Sequence, residues 1–393
     1  LLRSSLGFNG AKFFGLLRSL VGTFLFGIQT YFLSKLVVYL IRIVIFSIDN
    51  TLLDQEIFLT FLLGLNIIDW ISILLVIVFQ TMLFSIGIQY NKKLINYSAI
   101  IVYAGMIIFF LTVFLSDVKT TTQAFSNILN FENFLKQNNI LPLITVAGTI
   151  FAYFSIVIVS FGDFTRYVNN ERDLTKGNLS LILNLIIFSF FSIAIVVGSD
   201  VFLNQKFQDL DRIFTNPTDI IGKFDNLQIT IVVLFFIIIA SASTNLVANY
   251  IPSQYSLINF LPNKLNLKSA SYTISFLGLI VGIFWLTVLS QIGILSFVDT
   301  FSCFFGPLFG VIIADYYLIK NQTLSNKDLY SIENQSAYYY SKGWHIKGAY
   351  SIILGFIFSA STIWNTNLMF LQSYAWIIGA FISWLTYYLL AKK

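Results

Sequence analysis

The chain is written in long apolar runs, and these leave few folds open to it. A helix needs roughly 20 apolar residues to cross a bilayer. Ten stretches meet or approach that length, at about 17–46, 67–89, 95–115, 141–162, 178–202, 227–250, 270–290, 294–318, 347–364 and 372–391. Hydrocarbon offers backbone amides no partner but each other, so such stretches are expected to be helices. The first is long enough to tilt or overhang the bilayer. Its start, RSSLGFNGAKFFGLLRS, is basic and amphipathic and suits the membrane interface. The composition agrees: 57% of residues are hydrophobic and 10% charged, against about 25% charged in soluble domains. The expected fold class is all-α integral membrane, with residues 1–393 forming a single transmembrane domain.

Several function classes fall away at once. Cys303 is the sole cysteine and His345 the sole histidine, so neither a disulfide framework nor a histidine metal site is expected. No acid–base or metal cluster lies within the spans and no soluble segment is large, so the chain is not expected to be an enzyme. The net charge of +5 reads as topology, and no nucleic-acid partner is expected. With residues 1–16 placed in the cytoplasm and sides alternating, the cytoplasmic segments hold Arg3, Lys12, Arg18, Lys92, Lys93, Arg166, Arg172, Lys176, Lys264, Lys268, Lys320, Lys327, Lys342, Lys347, Lys392 and Lys393. The outer loops hold Lys119, Lys136, Lys206, Arg212 and Lys223, with Arg42 near the border. This asymmetry predicts a multi-pass protein of the cell (inner or plasma) membrane with a cytoplasmic C-terminus. The loop 203–226 is acidic and expected outside, and the stretch 130–139 suits a short outer interfacial helix.

Polar groups inside apolar helices are costly and draw attention. Lys35 is expected to snorkel outward, while Asp299 and Asp315 suit border roles, Asp315 with Lys320 in pairing reach. Gly306-Pro307 predicts a kink, because proline removes a backbone donor. Gln29 suits either a helix–helix hydrogen bond or a solute contact. The run ITIVVLFFIII ends in ASASTNLVANYIPS (240–253), where Ser241, Asn245 and Asn249 fall on one helical face. Its hydroxyls with a nearby carbonyl suit a hard cation, which takes oxygen ligands. A tightly packed small-residue interface explains the same residues equally well.

Taken together, SFGDFTRYVNNERDLTKGN (160–178), ASASTNLVANYIPSQYSLINFLPNKL (240–265), FFGPLFGVIIADYYLIKNQTLSNKDLYS (304–331) and RSSLGFNGAKFFGLLRSLVGTFLFGIQTY (3–31) resemble the nucleobase:cation symporter-1 family of cytosine, uracil, allantoin and hydantoin permeases. The motifs run in order along nearly the whole chain. The resemblance implies an amino-acid-transporter-like fold of two inverted five-helix repeats, with ten of twelve helices present and the first two expected to precede residue 1. It further implies a cation, Na+ or else H+, held by the Ala240 carbonyl and the Ser243 and Thr244 hydroxyls, completed by the family's first helix. The heterocycle is implied to stack on Phe154, to meet Gln29, Asn245 and Asn249, and to be lined by Tyr153 and Ser155. One departure stands out: hydantoin-type members carry Trp four residues before the Gln, and here that position is Leu25, unless Phe24 or Phe26 turns inward.

The function expected from the resemblance is secondary active transport of a nucleobase or related planar heterocyclic amide by alternating access. Na+ is favoured over H+ by the hydroxyl pair. No other cofactor is expected, the partners are the solute and lipid, and a monomer is expected. Two alternatives are a same-fold transporter of a vitamin-precursor pyrimidine or amino-acid-like solute, and a non-transporting sensor or inactive fragment. GDFTRY at 162–167 suits a structural or gating contact on the inner face, where Asp163 and Arg166 are spaced to pair. His345 is expected to carry no chemistry.

Overall fold

The computed structural model describes residues 2–115, 117–128, 130, 137–206, 220–221, 223 and 226–392. Residues 131–136 and 207–219, which make up much of the expected outer helix and the acidic loop, lie outside the described residues. The principal helices are α1 (Leu2–Ile48), α2 (Ile67–Phe84), α3 (Tyr90–Phe114), α4 (Gln137–Val159), α5 (Glu171–Leu203), α6 (Leu227–Phe260), α7 (Leu267–Thr287), α8 (Ser296–Ile319), α9 (Ile346–Trp364) and α10 (Thr366–Ala391). Among the described residues nine of these are long and apolar enough to cross a membrane. The apolar part of α4, Ile140–Ser155, is shorter, so α4 is the difference from the ten spans expected.

Packing divides the helices into two groups around α1. On one side α1 lies against α2, α6 and α7. Small residues permit this close approach. A Cβ placed on Gly27 would stand 2.5 Å from the Gly278 carbonyl oxygen of α7, so the two backbones touch where only glycine fits. The second group is α8, α9 and α10, with α4 laid along α8. There Gly306 abuts the Trp376 carbonyl, 2.5 Å from where its Cβ would be, and Gly355 abuts that of Gly379 at 2.7 Å. Pro307 lies inside α8, and Ser383 of α10 donates to its carbonyl at 2.8 Å. One apolar core, including Leu25, Ile28, Phe305, Leu308 and Ile352, joins the two groups through α1.

The start of α1 does not stand free. Gly7 breaks the helix with φ 80°, and a Cβ there would meet the Gly343 carbonyl at 2.6 Å. Beyond this break Asn9 N–H donates to the Gly343 carbonyl at 2.7 Å, and His345 N–H donates to the Leu6 carbonyl at 2.9 Å. The Arg3 guanidinium donates to the Ser331 carbonyl. The basic start therefore docks on the segment before α9. Beneath it the buried Asp315 carboxylate accepts from Ser5 Oγ at 2.8 Å, Tyr387 OH at 2.6 Å and Lys320 Nζ at 2.5 Å. A buried carboxylate is tolerable when donors surround it in this way. The pairing with Lys320 lies in a π-helical turn, Ala314–Ile319, that ends α8.

Lys35 corrects the expectation of snorkelling: its ammonium lies 2.8 Å from Asp69 of α2. Asp69 is available because Asn66 and Asp69 form the capping box that starts α2.

Overpacking a backbone contact costs about 1–3 kcal/mol. Gly27→Leu is therefore expected to lower the melting temperature in detergent, whereas Gly162→Ala, with open space around the position, is expected to leave it unchanged. His345 supplies a pH signature. Burial pushes its imidazole pKa below the ordinary value, outweighing the Ser5 carbonyl and Asp315, which favour the charged ring. A depressed folded-state pKa stabilises the fold above about pH 6.5, and this contribution is lost as pH falls below that value. Melting curves at falling pH should thus show a destabilisation that His345→Gln reduces.

Candidate functional site

The polar run that closes the apolar half of α6 faces α1. Residues Asn245–Tyr250 form a π-helical turn inside α6, a distortion often found at functional sites. Asn245 is fully buried and Asn249 is 3% exposed, so their amides must be bonded by protein or by a bound solute. They are bonded to each other and to α1. Asn249 Nδ2 donates to Gln29 Oε1 at 2.9 Å and to Asn245 Oδ1 at 3.0 Å. Gln29 Nε2 donates to the Ser241 carbonyl at 3.1 Å. Asn245 Nδ2 donates to the Phe26 carbonyl and to Thr30 Oγ1, each at 3.2 Å. Thr30 in turn donates to Gln80 Oε1 of α2 at 2.9 Å. A continuous amide chain therefore runs from α2 through α1 into α6.

Among the described residues no side chain donates to Asn249 Oδ1. The structure thus gathers Gln29, Asn245 and Asn249 and adds two members the sequence reading passed over, Thr30 and Gln80. Both looked like isolated polar residues in apolar helices, and only the crossing of α1 with α2 brings them together.

The hydroxyls of α6 sit one turn away. Ser243 Oγ donates to the Ala240 carbonyl at 3.1 Å, and Thr244 is exposed on the helix. A hard cation takes about six oxygens, so Ala240, Ser243 and Thr244 fit part of such a shell and leave the rest to other groups.

The aromatic side is arranged differently. Phe154 is half-buried and meets Tyr153 edge-on at 5.6 Å, while Tyr153 itself is 37% exposed. Ser155 is buried and its hydroxyl returns to the Ala152 carbonyl at 2.6 Å, within its own helix. Among the described residues no hydrogen bond joins Tyr153, Phe154 or Ser155 to the amide chain. Leu25 is buried in the core shared by α1 and α8. Its aromatic neighbours are committed elsewhere: Phe24 packs on Phe297 at 4.7 Å, and Phe26 on Tyr250 at 5.0 Å.

The residue most misread from sequence is Arg18, which reads as a flanking charge. It is 2% exposed and lies between helices. Its Nε donates to Ser160 Oγ at 2.5 Å and its Nη2 to the Ala248 carbonyl at 3.1 Å. Ala248 lies in the π-helical turn, directly before Asn249. Asp163 and Arg166 do not close the ion pair their spacing suggests. Arg166 donates to Tyr167 OH at 3.0 Å and its guanidinium lies 4.0 Å above the Tyr255 ring.

A multi-pass α-helical membrane protein with a buried polar crossing is the class this geometry defines. The match to known sequences is more specific. The family model for permeases of cytosine/purines, uracil, thiamine and allantoin matches residues 1–379, and the chain belongs to that family. It is 29% identical to the allantoin permease of Bacillus subtilis (strain 168), over 62% of this chain and 48% of that protein. It is 24% identical to the purine-uracil permease NCS1 of Arabidopsis thaliana, over 100% of this chain and 65% of that one. The chain thus spans about half to two thirds of the length of these relatives. Among solved structures it resembles Mhp1, a nucleobase-cation-symport-1 family transporter, in a closed conformation with bromovinylhydantoin bound. There the TM-score is 0.69 at 18% identity, covering 100% of this chain and 77% of that one. The inward-facing conformation of Mhp1 gives 0.62 at 19% identity, covering 99% and 77%. These likenesses establish the fold.

Removing one partner from a buried amide leaves the others unsatisfied, at a cost of about 1–3 kcal/mol. Asn245→Ala, which strips both Thr30 and the Phe26 carbonyl of their donor, is expected to lower thermal stability by an amount in that range. Equilibrium or kinetic unfolding of the variant against the parent measures it.

Proposed function

We propose that this protein is a secondary active transporter that carries a small planar heterocyclic amide, of the nucleobase kind, together with a cation. The observation that carries the reading is the amide chain itself. A flat lactam ring offers N–H donors and carbonyl acceptors along one edge. Asn249 Oδ1 is an acceptor that no described side chain uses, and Gln29 Nε2, bonded to Ser241, has a second proton to give. A ring entering here would take over Asn249 and Gln29, exchanging protein–protein bonds for protein–solute bonds at little net loss.

Phe154 supplies an aromatic face for such a ring once it approaches α6, and Tyr153 and Ser155 lie beside it on α4. Leu25 replaces one possible stacking partner by an aliphatic wall. An aromatic stack contributes about 0.5–1.5 kcal/mol beyond burial, so selectivity is expected to differ from that of permeases with two aromatic faces. The membership in a family described for cytosine/purines, uracil, thiamine and allantoin supports this solute class.

Na+ is the coupling ion this reading favours. The Ala240 carbonyl with the Ser243 and Thr244 hydroxyls would hold it, and no carboxylate stands among those three to carry a proton instead. A bound ion supplies a fixed positive charge that replaces the Ser243–Ala240 hydrogen bond. Because Ser241 lies between the ion ligands and also accepts from Gln29, ordering of this turn by the ion reaches the solute site directly. Coupling then follows, since both ligands favour the same backbone arrangement.

In the intact protein, uptake of labelled uracil, cytosine or allantoin is expected to fall when choline replaces Na+, by roughly 5–150-fold for a coupling energy of usual size. Undiminished uptake would reject sodium coupling. Gln29→Ala and Asn249→Ala are each expected to raise the half-saturating solute concentration about tenfold or more. Parent-like uptake by both variants would remove the solute from this site.

A further inference from the structure

We propose that Arg18 is the positioning residue of a gate beneath the amide chain, clasping the end of α4 to α1 and α6 on the basic face of the protein; this rests on the transport reading above. The body of α4 packs along α8, in one helix group, whereas α1 and α6 belong to the other. At the end of α4 the chain crosses between the groups. Ser160, the residue after α4, is 5% exposed and accepts from Arg18 Nε at 2.5 Å. The same guanidinium reaches the Ala248 carbonyl at 3.1 Å. Ala248 directly precedes Asn249, so this clasp lies against the backbone of the residue that anchors the amide chain.

A second clasp lies outside the first. Past Ser160 the chain makes a short helix, Phe161–Thr165, followed by Arg166 and Tyr167. Tyr167 OH lies 3.0 Å from Tyr255 OH of α6, and Arg166 covers the Tyr255 ring at 4.0 Å. The arginine and tyrosine of the GDFTRY motif thereby bind α6.

The chemistry of the clasp suits a gate rather than a fixed strut. A buried guanidinium is costly unless its donors are matched by acceptors and its charge by a carboxylate. Here the acceptors are one hydroxyl and one carbonyl, and among the described residues no carboxylate lies within ion-pair distance and Nη1 has no partner. Separation of α4 from α6 would return that nitrogen to water. Closure forms several weak bonds, opening regains hydration, and the two states are therefore close in free energy. Gly22 preserves the room this needs, since a Cβ there would stand 2.5 Å from Nη1.

The test is a distance across the clasp. Spin labels are placed on Gly162→Cys, where surrounding space is open, and on exposed Asn263→Cys, with Cys303→Ser removing the native thiol. The purified full chain is then measured by pulsed electron–electron resonance without solute. The parent is expected to show one short distance. Ser160→Ala and Tyr255→Phe, which delete single hydrogen bonds and leave Arg18 in place, are each expected to add a longer component. The ratio of open to closed should rise roughly fivefold per bond, the size expected of an ordinary hydrogen bond. Arg18→Gln should give the largest open fraction and Arg18→Lys, which keeps the charge and can serve one acceptor, a smaller one. An unchanged distance in the Ser160→Ala/Tyr255→Phe double variant would overturn the gate. Because the measurement needs no solute, a parent that fails to take up nucleobases would sink the transport reading while leaving the gate result legible.

Discussion

Hydrocarbon does not hydrogen-bond, and the centre of this protein is organised by that fact. Every amide placed in a spanning helix must find its partner in a neighbouring helix or in a passing solute. The chain from Gln80 through Thr30, Asn245 and Asn249 to Gln29 meets this condition with protein atoms except at Gln80 Nε2, which is buried without a partner among the described residues. It holds α1 against α2 and α6, and it leaves acceptor capacity at Asn249. In the function proposed above, a scaffold contact and a recognition surface are made from the same side chains, and a solute that resembles an amide edge enters by exchanging bonds.

The two π-helical turns belong to the same logic. Each widens a helix where polar side chains leave it. In α6 the turn Asn245–Tyr250 carries the buried amides. In α8 the turn Ala314–Ile319 carries Asp315, whose donors come from α1, α10 and Lys320. Backbone carbonyls contribute as well. Arg18 bonds the Ala248 carbonyl in α6, and Ser383 bonds the Pro307 carbonyl within α8. Backbone carbonyls along these helices thus become points where one helix grips its neighbour.

Much of this was legible in the sequence. The apolar runs announced an all-α multi-span fold, because runs of that length satisfy their backbone as helices in a bilayer, and α4 departs from them by having a shorter apolar part. Asn245 and Asn249 announced a shared face by their spacing, and Asp315 with Lys320 announced a pair. What sequence did not reveal depends on crossings. Thr30 and Gln80 meet because α1 and α2 cross. Lys35 finds Asp69 because a capping box holds that carboxylate beside α1. Arg18 looks like a border charge until the Ala248 carbonyl and Ser160 are seen around it. Local periodicity tells which face of a helix is polar, and only tertiary packing tells what that face meets.

The central claim is that a planar amide sits where α1 and α6 exchange carboxamide bonds. A crystal of the intact protein grown with a brominated uracil and Na+ tests this most directly. The anomalous bromine signal and the ring density are expected beside Gln29 and Asn249, with Phe154 drawn towards the ring. Ordered ligand lodged elsewhere in the helix bundle, with the Gln29–Asn249 bond intact, would contradict it.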